Sequence, residues 1–211
     1  MKTISKQRIL WMTQTAIFAA IVLVVQLAGG AVKVGPISIS LVLIPIVVGG
    51  MIMGPLSGAI LGFVFGLVTL INGLTGLDPF TNVLLMSGLE GAIVTPLICL
   101  VKATAAGFLS ALIYKLFKQH AEANGASHTN IAGVFCAAAT APIVNTGLFI
   151  LGALSLSDVL SANFVAEGSS VLYFLIIGCA GVNFLIELAV NLVFSPAIYQ
   201  LIRAVSKGKL K

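Results

Sequence analysis

Long apolar runs fill this chain, and its few polar and glycine-proline positions mark where the runs turn. From Ile9 to Ala28 no charge intervenes over about 20 residues, the length that crosses a hydrocarbon core about 30 Å thick. Gly29–Pro36, with Gly29-Gly30, Lys33 and Gly35-Pro36, breaks that run as a loop. A second span is expected over Ile37–Met53, with Pro45 as a kink or break, and a third from Pro55 to Gly73. Glycine recurs every fourth residue from Gly50 to Gly66. Pro55 suits a helix's first turn, where its missing N–H has no intrahelical partner. Beyond it Gly58, Gly62 and Gly66 share one helix face. In water such glycines cost about 1 kcal/mol each relative to alanine. In a bilayer, small residues four apart let helix backbones approach closely, so the pattern predicts a glycine-packed third helix.

Residues 74–118 admit two readings. After the Leu77-Asp78-Pro79 loop, Phe80–Lys118 stays mostly apolar for about 39 residues, too long for one perpendicular crossing. It divides either into two crossings near Pro96 or Lys102, or into a short or re-entrant segment near 80–91 followed by one span over Ala92–Phe117. Charge decides between them. With six spans and both ends inside, the cytoplasmic side receives Lys2, Lys6, Arg8, Lys115, Lys118, Arg203 and the lysines at 207, 209 and 211. The outside then receives Lys33, while the loop 155–168 carries Asp158 and Glu167 and no base. A fifth span over Asn130–Leu154 and a sixth within Ser170–Ile202 complete the count, with a polar cytoplasmic loop Gln119–Thr129 holding both histidines. The expectation is an all-α integral membrane protein of six transmembrane helices, N-in and C-in, residues 1–211 forming one membrane domain.

Composition fixes the compartment as membrane. Hydrophobic residues make up 59%, charged residues 8%, and the mean hydropathy is +1.17. A pI near 9.3 could point to nucleic acid, but the basic residues sit at helix ends, where orientation explains them. Cys99, Cys136 and Cys179 lie singly in apolar runs and are read as core residues, with no metal-ligand spacing.

Polar residues inside spans are costly and carry the functional hypotheses. Counted from each span's cytoplasmic end, Gln26, Asn72, Lys102, Asn145 and Glu187 stand about 14–17 residues up, roughly 21–26 Å at 1.5 Å per residue. Asn183, Glu187 and Asn191, four apart, form a stripe on one helix face. Five spans thus place hydrogen-bonding groups in one layer facing outward, a pattern that fits a small-molecule pocket. Lys102 and Glu187 are suited either to neutralise each other or to meet a substrate's charge. Asn145 suits either an interhelical hydrogen bond or a ligand. Enzyme chemistry has little support: the serines have no intramembrane histidine as base, and neither a His-Glu-x-x-His nor a P-loop occurs.

The succession Leu43-Ile44-Pro45, Gly54-Pro55-Leu56-Ser57-Gly58-Ala59, Gly62-Phe63-Val64-Phe65-Gly66-Leu67 and Asp78-Pro79-Phe80 resembles the substrate-binding S component of energy-coupling factor (ECF) vitamin transporters. Ala141-Pro142-Ile143-Val144-Asn145-Thr146-Gly147 is similar to that family's fifth helix, and the pantothenate branch is the most similar. The resemblance implies capture of a vitamin, pantothenate first, at the bacterial cell membrane. Hydroxymethylpyrimidine, pyridoxine or a corrinoid precursor are the alternatives, and a stand-alone secondary transporter is another class. It also implies a transmembrane coupling protein and two cytoplasmic ATPases that hydrolyse ATP, with no cofactor in this chain. The family's Ala-x-x-x-Ala docking pattern is matched by Ala16 and Ala20, with Ala19 beside them.

Overall fold

The computed structural model describes residues 6–29, 33–34, 37–38, 41–125 and 130–208. Lys2, Gly30, the Gly35-Pro36 pair, His128, Lys209 and Lys211 lie outside them. Apart from one small ribbon, the described chain is helical. Helix α1 (Lys6–Gly29) is followed by two-residue strands β1 (Lys33–Val34) and β2 (Ile37–Ser38), antiparallel with Lys33 opposite Ser38. Then come α2 (Leu43–Met53), α3 (Pro55–Leu74), α4 (Pro79–Met86), α5 (Leu89–Ala123) and α6 (Ile131–Ala153). A 3₁₀ turn, Leu154–Leu156, leads into α7 (Ser157–Asn163). The short α8 (Val171–Tyr173) runs through a π-helical stretch, Phe174–Gly181, into α9 (Val182–Gly208).

Five helical runs are long and apolar enough to cross a membrane: Lys6–Ala28, Pro55–Leu74, Leu89–Ala123, Ile131–Asn163 and Val171–Val205. The expected second span is shorter than its sequence pattern. Ile37 and Ser38 belong to the ribbon, and α2 has 11 residues, about 16 Å of helix. Pro45 neither kinks nor breaks α2, because it falls in the first turn, where no intrahelical N–H is needed. The 80–91 region forms the short helix α4, and α5 then runs unbroken through Pro96 and Lys102. It continues past Lys118 to Ala123, so His120 stands on a helix rather than in the predicted loop. The predicted outer loop 155–168 is largely helical as well. Cys99 and Cys179 are buried, but Cys136, expected in the core, is exposed on the outward side of α6.

Gly54 and Gly88 hold φ of 99° and 102° at the turns before α3 and α5, a backbone region costly for residues with a Cβ. The resulting helices meet backbone to backbone. A Cβ at Gly58 would overlap the Gly107 carbonyl, one at Gly62 the Ala103 carbonyl, and one at Gly66 the Cys99 carbonyl. Descending numbers on α5 against ascending numbers on α3 make the pair antiparallel. Near the start of α3, beside Gly58, α1 is tied to the rest of the chain by polar contacts that sequence reasoning missed. Trp11 Nε1 donates to the Met53 carbonyl at 3.1 Å, and the Thr15 and Ser57 hydroxyls lie 2.9 Å apart in buried surroundings.

Overpacking a tight contact costs about 1–3 kcal/mol. Gly62→Leu is therefore expected to lower the unfolding temperature of the detergent-solubilised protein markedly. At Gly147 nothing lies within 4 Å of an added Cβ, and Gly147→Ala should leave that temperature unchanged or raise it. Equal melting of Gly62→Leu and the unsubstituted protein would remove the steric account of this helix pair.

Candidate functional site

At the end of the bundle away from the described chain ends, α1, α3, α4, α5, α6 and α9 line a cavity of about 210 Å³. That exceeds the roughly 150 Å³ in which an engineered protein cavity holds benzene. Gln26, Asn72, Lys102, Asn145, Asn183 and Glu187 all line it. Periodicity explains how each helix contributes. On α3, Phe65, Thr69 and Asn72 follow at four and three residues, one face of a helix. On α6, Asn145 and Phe149 stand one turn apart. On α9, Asn183 and Glu187 do the same, just after the π-helical stretch that contributes Ala180. Such stretches are rare in helices and occur frequently at functional sites.

The polar groups differ in how they are held. Lys102 Nζ sits 4.8 Å from the centre of the Phe149 ring, a cation–π contact, and shares the cavity wall with Glu187. Asn145 and Asn183 are 6% and 5% exposed, yet among the described residues Asn145 Oδ1 and both amide atoms of Asn183 have no hydrogen-bond partner. Leaving such a group unpaired costs about 1–3 kcal/mol. The α9 stripe divides: Asn191, also buried, does not line the cavity and donates from Nδ2 to the Glu187 carbonyl at 2.8 Å. Ser195 in turn donates to the Asn191 carbonyl at 2.8 Å.

Sequence reasoning missed Asp78, Thr81, Thr69, Thr146 and the rings of Phe65, Phe80 and Phe149, all on the cavity wall. By sequence, Asp78 belongs to the Leu77-Asp78-Pro79 loop. Its Oδ2 accepts from Thr81 Oγ1 at 2.6 Å, and its backbone N–H donates to the Asn72 carbonyl at 3.0 Å. The available signal was Asp-Pro followed by threonine at the start of an apolar run, a helix-start pattern.

A family model described as the substrate-specific component of ECF transporters matches residues 11–199. The chain belongs to this family. No curated protein sequence matches this substrate-specific component significantly. Among solved structures it is similar to ThiT from Listeria monocytogenes, with a TM-score of 0.61 and 18% identity. The match covers 92% of this chain and 99% of that one. At that identity the likeness speaks for the fold, a multi-pass membrane fold, and the pantothenate branch draws no support from it.

Two opposite charges on one shielded wall should be energetically coupled. Lys102→Met and Glu187→Gln are each expected to lower thermal stability, and the double variant less than their sum. The coupling should be about 0.5–3 kcal/mol, the range for residues in one network. Additive melting shifts would show that the two charges act independently.

Proposed function

We propose that this substrate-specific component captures a small vitamin in the cavity from outside the cell and hands it to an ECF module for ATP-driven uptake. The observation that carries the reading is the unmet polar capacity of two buried amides, Asn145 Oδ1 and both amide atoms of Asn183, on the same cavity wall as Lys102. Groups so placed favour a polar ligand that supplies the missing hydrogen bonds. The topology proposed with it is a single membrane domain of six crossings, the short α2 being the sixth, with both ends in the cytoplasm of a bacterial cell. ATP is hydrolysed by two separate ATPases joined through a transmembrane coupling protein.

Two substrate chemistries follow from the wall. Pantothenate would use Lys102 as counter-ion to its carboxylate and the asparagines for its amide and hydroxyls. A nitrogen heterocycle such as hydroxymethylpyrimidine or pyridoxine is favoured by Asp78 and by the three phenyl rings. Native mass spectrometry of the purified protein, with co-purification of its partners, tests the shared reading. A bound vitamin and accompanying ATPases are expected; a protein that transports alone, without ATPases, would overturn it.

The docking face follows from α1. Ala16 and Ala20 are exposed, whereas Ala19 is half-buried against the cluster around Val22, Leu43 and Leu61. Trp11 and Thr15 hold α1 to the rest of the chain, and on its exposed side the small side chains of Ala16 and Ala20 let another helix lie close. Ala16→Trp and Ala20→Trp should leave vitamin binding within about twofold, since surface changes away from a site typically shift energies by no more than about 0.5 kcal/mol. The same changes should abolish ATP-dependent uptake in proteoliposomes. Normal uptake by both variants would place docking elsewhere.

A further inference from the structure

The charges on the cavity wall do not favour an anion. Of the described residues that line it, Lys102 is the cation, and Asp78 and Glu187 are carboxylic acids. With both acids ionised the wall carries a formal charge of about −1, and with one protonated about 0, by ordinary side-chain ionisation. A carboxylate ligand would add a further negative charge in either case, and buried charge is tolerated where it is paired. Lys102 is moreover already engaged over Phe149. With both acids ionised a singly cationic ligand brings the balance to zero and a neutral one leaves it unchanged, and with one protonated a neutral ligand keeps it at zero; a carboxylate moves it away from zero in both cases.

Asn183 narrows the chemistry. Its side chain presents a donor and an acceptor side by side, whichever way round the amide sits, and neither has a partner among the described residues. The complement is a group with an adjacent acceptor and donor on one edge: an aminoazine, a cyclic amide or imide, or a primary carboxamide. A trans secondary amide points its N–H and C=O in opposite directions and cannot meet both atoms of one asparagine. Asn145 Oδ1, also unpartnered, calls for a second donor. Around these groups Phe65, Phe80 and Phe149 offer apolar surface, and Phe80 and Phe149 lie tilted with ring centres 6.0 Å apart. Aromatic rings favour such offset or edge contacts, which suits a flat ring as guest.

We propose that the ligand is a neutral or singly cationic nitrogen heterocycle, read through a donor–acceptor edge by Asn183, and not a free carboxylate. The inference rests on the cavity being the vitamin site. It is tested by calorimetry on the full chain in detergent with 4-amino-5-hydroxymethyl-2-methylpyrimidine, thiamine, riboflavin and pantothenate, alongside mass spectrometry of any ligand retained from the cell. A ring probe or a retained heterocycle should bind, and Asn183→Leu should weaken it about tenfold or more, as loss of hydrogen bonds in a shielded site does. Asn183→Ser removes the amide edge with less demand on packing, and unfolding temperatures check that both variants are folded. Tight pantothenate binding, or a ring ligand held equally well by both folded variants, overturns the proposal while leaving the cavity as the vitamin site. Failure of the folded protein to bind or retain any small molecule overturns the vitamin site itself, and this inference with it.

Discussion

The close approach of α3 and α5 is the contact on which the cavity depends. Where Gly58, Gly62 and Gly66 lie against carbonyls of Gly107, Ala103 and Cys99, no side chain separates the two backbones. Lys102 stands next to Ala103 in that contact, and Phe65 next to Gly66. The spacing of the cavity's cation from the α3 wall is therefore set by glycine, and a methyl group would change it. Without a hydrophobic driving force between helices in lipid, dispersion across such a contact is a main source of association.

Polar groups are distributed unevenly along the bundle. Near the start of α1 and α3 they close on one another, as Trp11 does with Met53 and Thr15 with Ser57. Within the lower part of α9, Asn191 Nδ2 and the Ser195 hydroxyl donate to carbonyls of their own helix, while Asn191 Oδ1 has no partner among the described residues. Around the cavity, Asn145 and Asn183 keep hydrogen-bonding capacity that no described residue uses. Hydrogen bonds closed between helices near the start of α1 and unmet polar capacity around the cavity fit the proposed capture at one level of the membrane and docking at another. The exposed Ala16 and Ala20 lie at the level of the first, self-satisfied group.

Sequence alone determined the helical membrane class, because apolar run length and charge sparsity are local properties that the bilayer reads directly. It also determined which polar residues merited attention, since burying Lys102, Asn145, Asn183 or Glu187 in a span is costly wherever the helices lie. Counting residues from helix ends placed Gln26, Asn72, Lys102, Asn145 and Glu187 at one depth, and the structure gathers all five, with Asn183 from the α9 stripe, on one wall. Depth carries no azimuth, however. Which α9 residues turn inward, Asn183 and Glu187 but not Asn191, was decided by packing and by the π-helical stretch above them. Asp78 belonged to a predicted loop, and only the fold of 74–81 back onto the end of α3 brought it to the cavity. The shortness of α2 was likewise invisible in its hydropathy, because a strand pair and a helix can share one apolar run. The four-residue glycine spacing announced a packing face, but its partner was a tertiary matter: any helix with small residues at the matching spacing could have filled it, and the fold chose α5.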